Sequence, residues 1–465
     1  MSRKLPADCL NEIFEILNDN VALHSCLLVN RLWCEVSVRI LWRRIWNYST
    51  LIDCLPKESK ETLYNNEIII NPSLKPPLFN YVSFLRYLSI DKFVRIFINH
   101  HPLASQYLID NKLVVIIQEI FKMFMSRISS VKKLMIRSID IPNFTFYSYP
   151  GAIDCLTNLS EFDCGSDIRS EFFYQLSRIC HNVQSLSITL KSDISDGLAD
   201  LISVQQNLKI IIIHQSYIYN SDYLKRLISF VAKHSNTLTK VDINGVIEAS
   251  LLFLVNCENL QVLLLNSFKD SFKDFKRLQH VVFPQLRELQ LNNQHIKPAY
   301  VIKFLENNGN YLEKYYGLYN YNNSINVAIG KFCSNLKFFC VTLKRNEMEE
   351  FKVILNNCHR LEGFEVWCGS DYLNEIELLE VVVKYSPKTF YNLSLFYTSK
   401  SLSKLFSKEL ESFFTSWKDR TPQKSLNFSF KNMYAANNLD FKNENMNMFE
   451  KFVKLGVIKK FSMSG

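Results

Sequence analysis

The chain has 465 residues, 48% of them hydrophobic and 21% charged, a balance that excludes a disordered protein. With only 11 glycines and 12 prolines it is a poor match for a turn-rich all-β fold, and its length suits two or three domains or one elongated array. The net charge of +9 comes from lysines and arginines scattered among acids. No nucleic-acid-binding motif accompanies them, so nucleic acid is not expected as a partner.

The first 46 residues read as a short helical domain. Pro6 suits a first helical turn, where a missing N–H costs nothing. Leu10, Ile13, Phe14 and Leu17 follow at i, i+3, i+4 and i+7 and share one face. Asn18-Asp19-Asn20 can cap a second helix carrying Leu23, Cys26, Leu27 and Leu28. Trp33, Val36, Ile40, Leu41, Trp42 and Ile45 supply a third apolar set, and three of the five tryptophans, Trp33, Trp42 and Trp46, fall in this stretch. That is more apolar surface than so small a unit needs for itself, which points to a partner.

Leu5-Pro6, then Leu10, Ile13-Phe14 and Leu17, then the run Leu27 to Trp33, then Leu41-Trp42 together resemble an F-box. The resemblance implies a domain that docks on the adaptor subunit of a cullin–RING (SCF) ubiquitin ligase, and through it on cullin, while the rest of the chain holds a protein substrate. It places adaptor binding on Leu5, Pro6, Leu10, Ile13, Phe14, Leu17, Leu27, Leu28 and Trp33. The chain departs from the family pattern at Asn18–Leu23, where an Asp-Pro-containing loop is usual, and at Asn30, where Cys is usual. The alternative is a plain three-helix cap whose apolar residues are all core.

Residues 47–80 read as a linker, with Asn71 to Pro77 its clearest breaker. Leu113 to Met125 reads as a long apolar helix. From residue 81 onward one phrase recurs, apolar-x-x-apolar-x-apolar, as in Val183–Ile188, Leu260–Leu265 and Leu286–Leu291. Its first positions fall at 85, 131, 159, 183, 208, 238, 260, 286, 312, 336, 361, 390, 423 and 458, with intervals of 22 to 30 residues between 159 and 361. Leucine-rich repeats have this period. Between the phrases, sets such as Phe172, Phe173, Leu176, Ile179 and Leu224, Leu227, Ile228, Val231 keep a helical period, as do Leu251, Leu252 and Val255. Ser192-Asp193 and Ser221-Asp222 are helix openings. The chain closes with a helix through Met448, Phe449, Phe452 and Leu455, a stop at Gly456 and a last strand from Ile458.

The expected fold class is therefore α/β: a three-helix F-box over 1–46, a linker over 47–80, and over 81–465 a curved leucine-rich-repeat-like solenoid of alternating strand and helix with a parallel sheet. Cys180, Cys257, Cys333 and Cys358 each stand three residues before a phrase marker, a placement that resembles the cysteine-containing leucine-rich repeats that accompany F-boxes. They are expected as buried structural thiols. No Cys-x-x-Cys clamp, phosphate-binding glycine loop, nucleophile elbow or zinc-protease motif is present, so neither an enzyme nor a metal or other cofactor is expected. Without an apolar leader or an 18-residue apolar run, no membrane partner is expected and the cytoplasm, the nucleus or both are the expected location. Function then falls on the concave face, where Tyr316, Trp367 and Phe396 are candidate substrate anchors or else fill gaps in a degenerate repeat. The reading that follows is an SCF substrate-recognition subunit, the alternative a repeat scaffold that works outside any ligase.

Overall fold

Each repeat phrase becomes one strand. The computed structural model describes residues 5–17, 19–45, 47–68, 77–99, 112–137, 145–191, 194–215, 222–245, 250–267, 272, 274–293, 295–318, 322–369, 371–397, 407–421, 424–432 and 443–464. The chain divides into two compact units, Met1–Tyr219 and Asn220–Gly465.

The first unit holds β1 (Tyr87–Ser89), β2 (Lys133–Ile136), β3 (Glu161–Gly165), β4 (Ser185–Leu190) and β5 (Ile210–Gln215). Each is parallel to the next in chain order. The second holds β6 (Lys240–Asn244), β7 (Val262–Asn266), β8 (Glu288–Asn292), β9 (Lys314–Gly317), β10 (Phe338–Val341), β11 (Gly363–Cys368), β12 (Asn392–Tyr397), β13 (Leu426–Asn432) and β14 (Ile458–Ser464). These too pair parallel in chain order. Helices alternate with the strands, so each unit is a strand–helix repeat solenoid of the expected α/β class.

The marker residue explains the register. The first twelve strands start two residues after their markers, and those markers, Leu85 through Phe390, are all sealed from solvent. Within a strand the apolar positions then alternate inward, as Leu186 and Ile188 do, while Ser187 and Thr189 are half-exposed. The inward residues meet the helices: Phe339 and Phe364 both pack on Phe351, with ring centroids 6.3 and 5.1 Å away. Each such side chain contributes about 1.5–3 kcal/mol by burial. A carbonyl just before many of the strands also accepts two N–H groups from the next repeat. Lys132 and Lys133 donate to Arg86, Ser160 and Glu161 to Lys132, and Gln184 and Ser185 to Ser160.

Some expectations need correction. Position 423 is not a marker: it is a glutamine outside the described residues, and β13 starts at Leu426. The segment Leu251 to Val255 forms a 3-10 helix, Leu252–Asn256, too short for a full α-helix. Ser192-Asp193 and Ser221 lie outside the described residues, and it is Ser195 that caps the helix Asp196–Ser203, its side chain accepting from the Leu198 N–H. The helix expected at Leu113 is present as Lys112–Arg127.

The largest correction concerns 47–80. Two helices, Tyr48–Asp53 and Lys57–Asn65, form there, and Leu51, Leu63 and Ile68 are buried. Asn47 caps the first by accepting from the Ser49 and Thr50 N–H groups. Arg127, at the end of the apolar helix, donates to the carbonyl of Cys54 at 2.9 Å. The helix Lys57–Asn65 packs on Lys112–Arg127 and the helix Tyr48–Asp53 on Ile90–Asn99, so the described part of the segment is folded structure and not a linker; residues 71–76 of the breaker lie outside the described residues.

The N-terminal helices α1 (Ala7–Leu17), α2 (Asn20–Cys26) and α3 (Arg31–Leu41) join the array through the same hydrogen-bond device. The Arg43 carbonyl accepts the N–H groups of Arg86 and Tyr87 at 2.9 and 3.0 Å, and Arg44 bridges Tyr87 in parallel. The N-terminal module thus stands in the place of one more repeat ahead of β1.

Candidate functional site

At 100° per residue, the apolar residues of α1 spread over a stripe of about 160°, from Ile16 through Ile13, Leu17 and Leu10 to Phe14. The module uses only one edge of it. Leu10 and Phe14 are buried, and the Phe14 ring meets Trp33 edge-on with centroids 5.1 Å apart. Leu23, Cys26, Val36, Leu41 and Trp42 complete this core. The other edge faces solvent: Ile13 is 44% exposed, Leu17 43% and Ile16 82%. Val21, Leu28 (89%) and Val29 are exposed next to it in sequence.

Of the residues assigned to docking, Leu5, Pro6, Ile13, Leu17 and Leu28 are exposed, and Leu27 and Trp33 are half-buried. Leu10 and Phe14 are corrections. They hold α1 on α3 and have no surface to offer a partner. Sequence reasoning missed Ile16, Val21 and Val29. Ile16 stands at i+3 from Ile13 on the same stripe, and periodicity alone does not show which edge of the stripe a neighbouring helix covers. Trp46 lies outside the described residues.

The edge of the patch carries defined charge. Arg43 and Glu15 form an ion pair at 2.5 Å, and Asn11 donates to the same carboxylate at 2.9 Å. Hydrogen bonds from Arg43 and then Asn11 hold Glu15 below the usual carboxylate range. Asp19 and Asn30, the two departures inside the F-box-like stretch, act as helix caps, accepting from the Val21 and Trp33 N–H groups at 2.9 and 3.0 Å.

In the second unit the strand register brings two of the three aromatic candidates together. Trp367 pairs with Phe396 across β11 and β12, and the rings stack at 5.4 Å and 28°. Lys431, next in register, lies over the Phe396 ring at 5.1 Å and pairs with Glu365. Trp367 is the correction here: it is only 6% exposed, because Tyr372 packs 5.8 Å from it on a second side. Phe396 and Tyr316 are half-buried. Tyr316 sits apart on β9 against Phe338, and burial pushes its hydroxyl up to about 12.

The four cysteines before the markers are buried, and Cys180, Cys257 and Cys358 have carbonyl partners. Cys180 donates to Leu156 and Cys358 to Cys333, each at 3.3 Å and each to the repeat before it. Desolvation pushes Cys180, Cys257 and Cys358 up to about 12. Among the described residues no group of three His, Cys, Asp or Glu side chains could hold a metal ion, and no helix is long and apolar enough to cross a membrane.

No protein-family model matches the chain, and no curated protein sequence does either. Among solved structures it is similar to a chain of the crystal structure of the Rad7 and Elc1 complex in yeast, at 12% sequence identity and a TM-score of 0.39. That match covers 93% of this chain and 87% of the other; so distant a likeness decides nothing about partners.

Proposed function

We propose that this chain is the substrate-recognition subunit of an SCF-type ubiquitin ligase. The observation that carries the reading is the unused edge of the α1 stripe. Ile13, Ile16, Leu17, Val21, Leu28 and Val29 are exposed on a module whose own core is already complete, which is the mark of a surface made for a partner. The F-box resemblance names that partner as the ligase adaptor, with cullin behind it. The repeats hold the protein substrate. The chain supplies position and no reacting group, raising the local concentration of substrate at the ligase, and it works in the cytoplasm or nucleus.

Co-expression of the full chain with the adaptor tests this. Adaptor and cullin are expected to co-purify with it in fixed ratio; a folded chain that elutes alone favours the repeat scaffold outside any ligase. Deleting residues 1–46 is the wrong control, because it also removes the Arg43 carbonyl that accepts from Arg86 and Tyr87 at β1 and the Trp42 ring that packs on Tyr81.

A further inference from the structure

The seam between the N-terminal module and β1 holds a cavity of about 460 Å³, within the size range of small-molecule sites. None of its lining residues belongs to the exposed α1 stripe. Arg44, Lys92, Lys133 and Glu161 bring the charge to its walls. Lys133 and Glu161 neutralise one another across β2 and β3 at 2.8 Å. Arg44 and Lys92 are exposed and have no carboxylate partner among the described residues, so the cavity carries two uncompensated positive charges.

Its walls are also aromatic. The Arg44 guanidinium lies 5.0 Å from the Tyr87 ring centroid, a contact that orients the cation and leaves its in-plane N–H groups available. Tyr48, which also lines the cavity, is buried with its ring 5.6 Å from Phe93. A ligand that matches two cations and an aromatic wall is a dianion with a flat apolar body. A phosphate monoester carries a charge of about −1.5 to −2 at neutral pH and three acceptor oxygens, which suit a guanidinium fork and an ammonium together. A carboxylate would leave one cation unmatched.

We propose that this seam cavity binds an organic phosphate monoester with an aromatic body, held by Arg44 and Lys92. The same chemistry can arrive free or as a phosphorylated tyrosine side chain on a peptide.

The test is calorimetric titration of the full chain at low salt with phenyl phosphate, inorganic phosphate, benzoate and phenol. Phenyl phosphate is expected to bind about tenfold or more tighter than benzoate or inorganic phosphate, and phenol not at all. Arg44→Gln and Lys92→Gln are each expected to weaken phenyl phosphate by about tenfold, the worth of one charge-assisted hydrogen bond. A blocked phosphotyrosine tripeptide run beside phenyl phosphate identifies the source by which of the two binds tighter. Absence of binding by phenyl phosphate and the tripeptide alike, equal affinity for phenyl phosphate and benzoate, or unchanged affinity in both variants overturns the proposal. If Arg44→Gln lowers the melting temperature, Lys92→Gln decides alone. The adaptor takes no part in the titration, so either result leaves the docking assignment where it stood.

Discussion

The docking surface can be separated from the module's core by two sets of substitutions. Ile16 and Leu28 are 82% and 89% exposed, so Ile16→Asp with Leu28→Asp removes almost nothing the fold uses. Its stability cost is expected within about 0.5 kcal/mol per site. Covering the two side chains by a partner is worth about 1.5–3 kcal/mol each. The double variant should therefore lose about 3–6 kcal/mol of adaptor binding, roughly two to four orders of magnitude in Kd. Phe14→Ala is the opposite case: it empties a buried site against Trp33 and should cost about 3–5 kcal/mol of module stability. The assays are titration of the full chain with purified adaptor and thermal melting of each variant. A double variant that melts like the wild type and binds the adaptor as tightly would refute the reasoning.

Trp367→Ala should cost about 3–5 kcal/mol in denaturant unfolding, because the ring is buried between Phe396 and Tyr372; the half-buried Phe396 should cost less. An aromatic thiol reagent should modify the exposed Cys9 quickly and reach the ten buried cysteines only on unfolding, as mass spectrometry of labelled peptides will show. Because Cys155, Cys180, Cys257 and Cys358 are pushed from 9.0 to about 12 by burial, only the unfolded chain ionises them as pH first rises past 9.0. Their contribution to stability is whole below 9.0 and lost between there and about 12, which alkaline denaturation curves will register. Gly151→Ala should destabilise by about 1–2 kcal/mol or more. Gly151 has φ of +80°, and a Cβ there would stand 2.4 Å from the Met125 carbonyl oxygen.

The repeat architecture was legible because a single constraint recurs. Every unit needs one fully sealed side chain just before its strand, and the markers from Leu85 to Phe390 meet that need. The buried thiols were legible for the same reason, being fixed in phase with the markers. The division of labour on α1 was not. Periodicity shows that Leu10, Ile13, Phe14 and Leu17 share a face, but how much of that face α3 covers depends on Trp33 and Val36 arriving from another helix. For Trp367, strand alternation gives the direction of the side chain, whereas Tyr372, from beyond the strand, helps decide whether it is covered. The sequence of 47–80 reads as a linker because the two short helices Tyr48–Asp53 and Lys57–Asn65 are of mixed composition and give weak periodicity. Their role follows from what they pack on: Lys57–Asn65 lies against the helix Lys112–Arg127, and Tyr48–Asp53 against the helix Ile90–Asn99.

The carbonyl of Arg43, shared by Arg86 and Tyr87, makes the three leading helices mechanically inseparable from the first strand. Peeling α3 away would strand two amide protons at once, so the front of the molecule should open as one cooperative foldon with β1. Amide hydrogen exchange at Arg86 and Tyr87 would then keep pace with exchange in α3, and whatever clamps those helices from outside would quiet the strand as well.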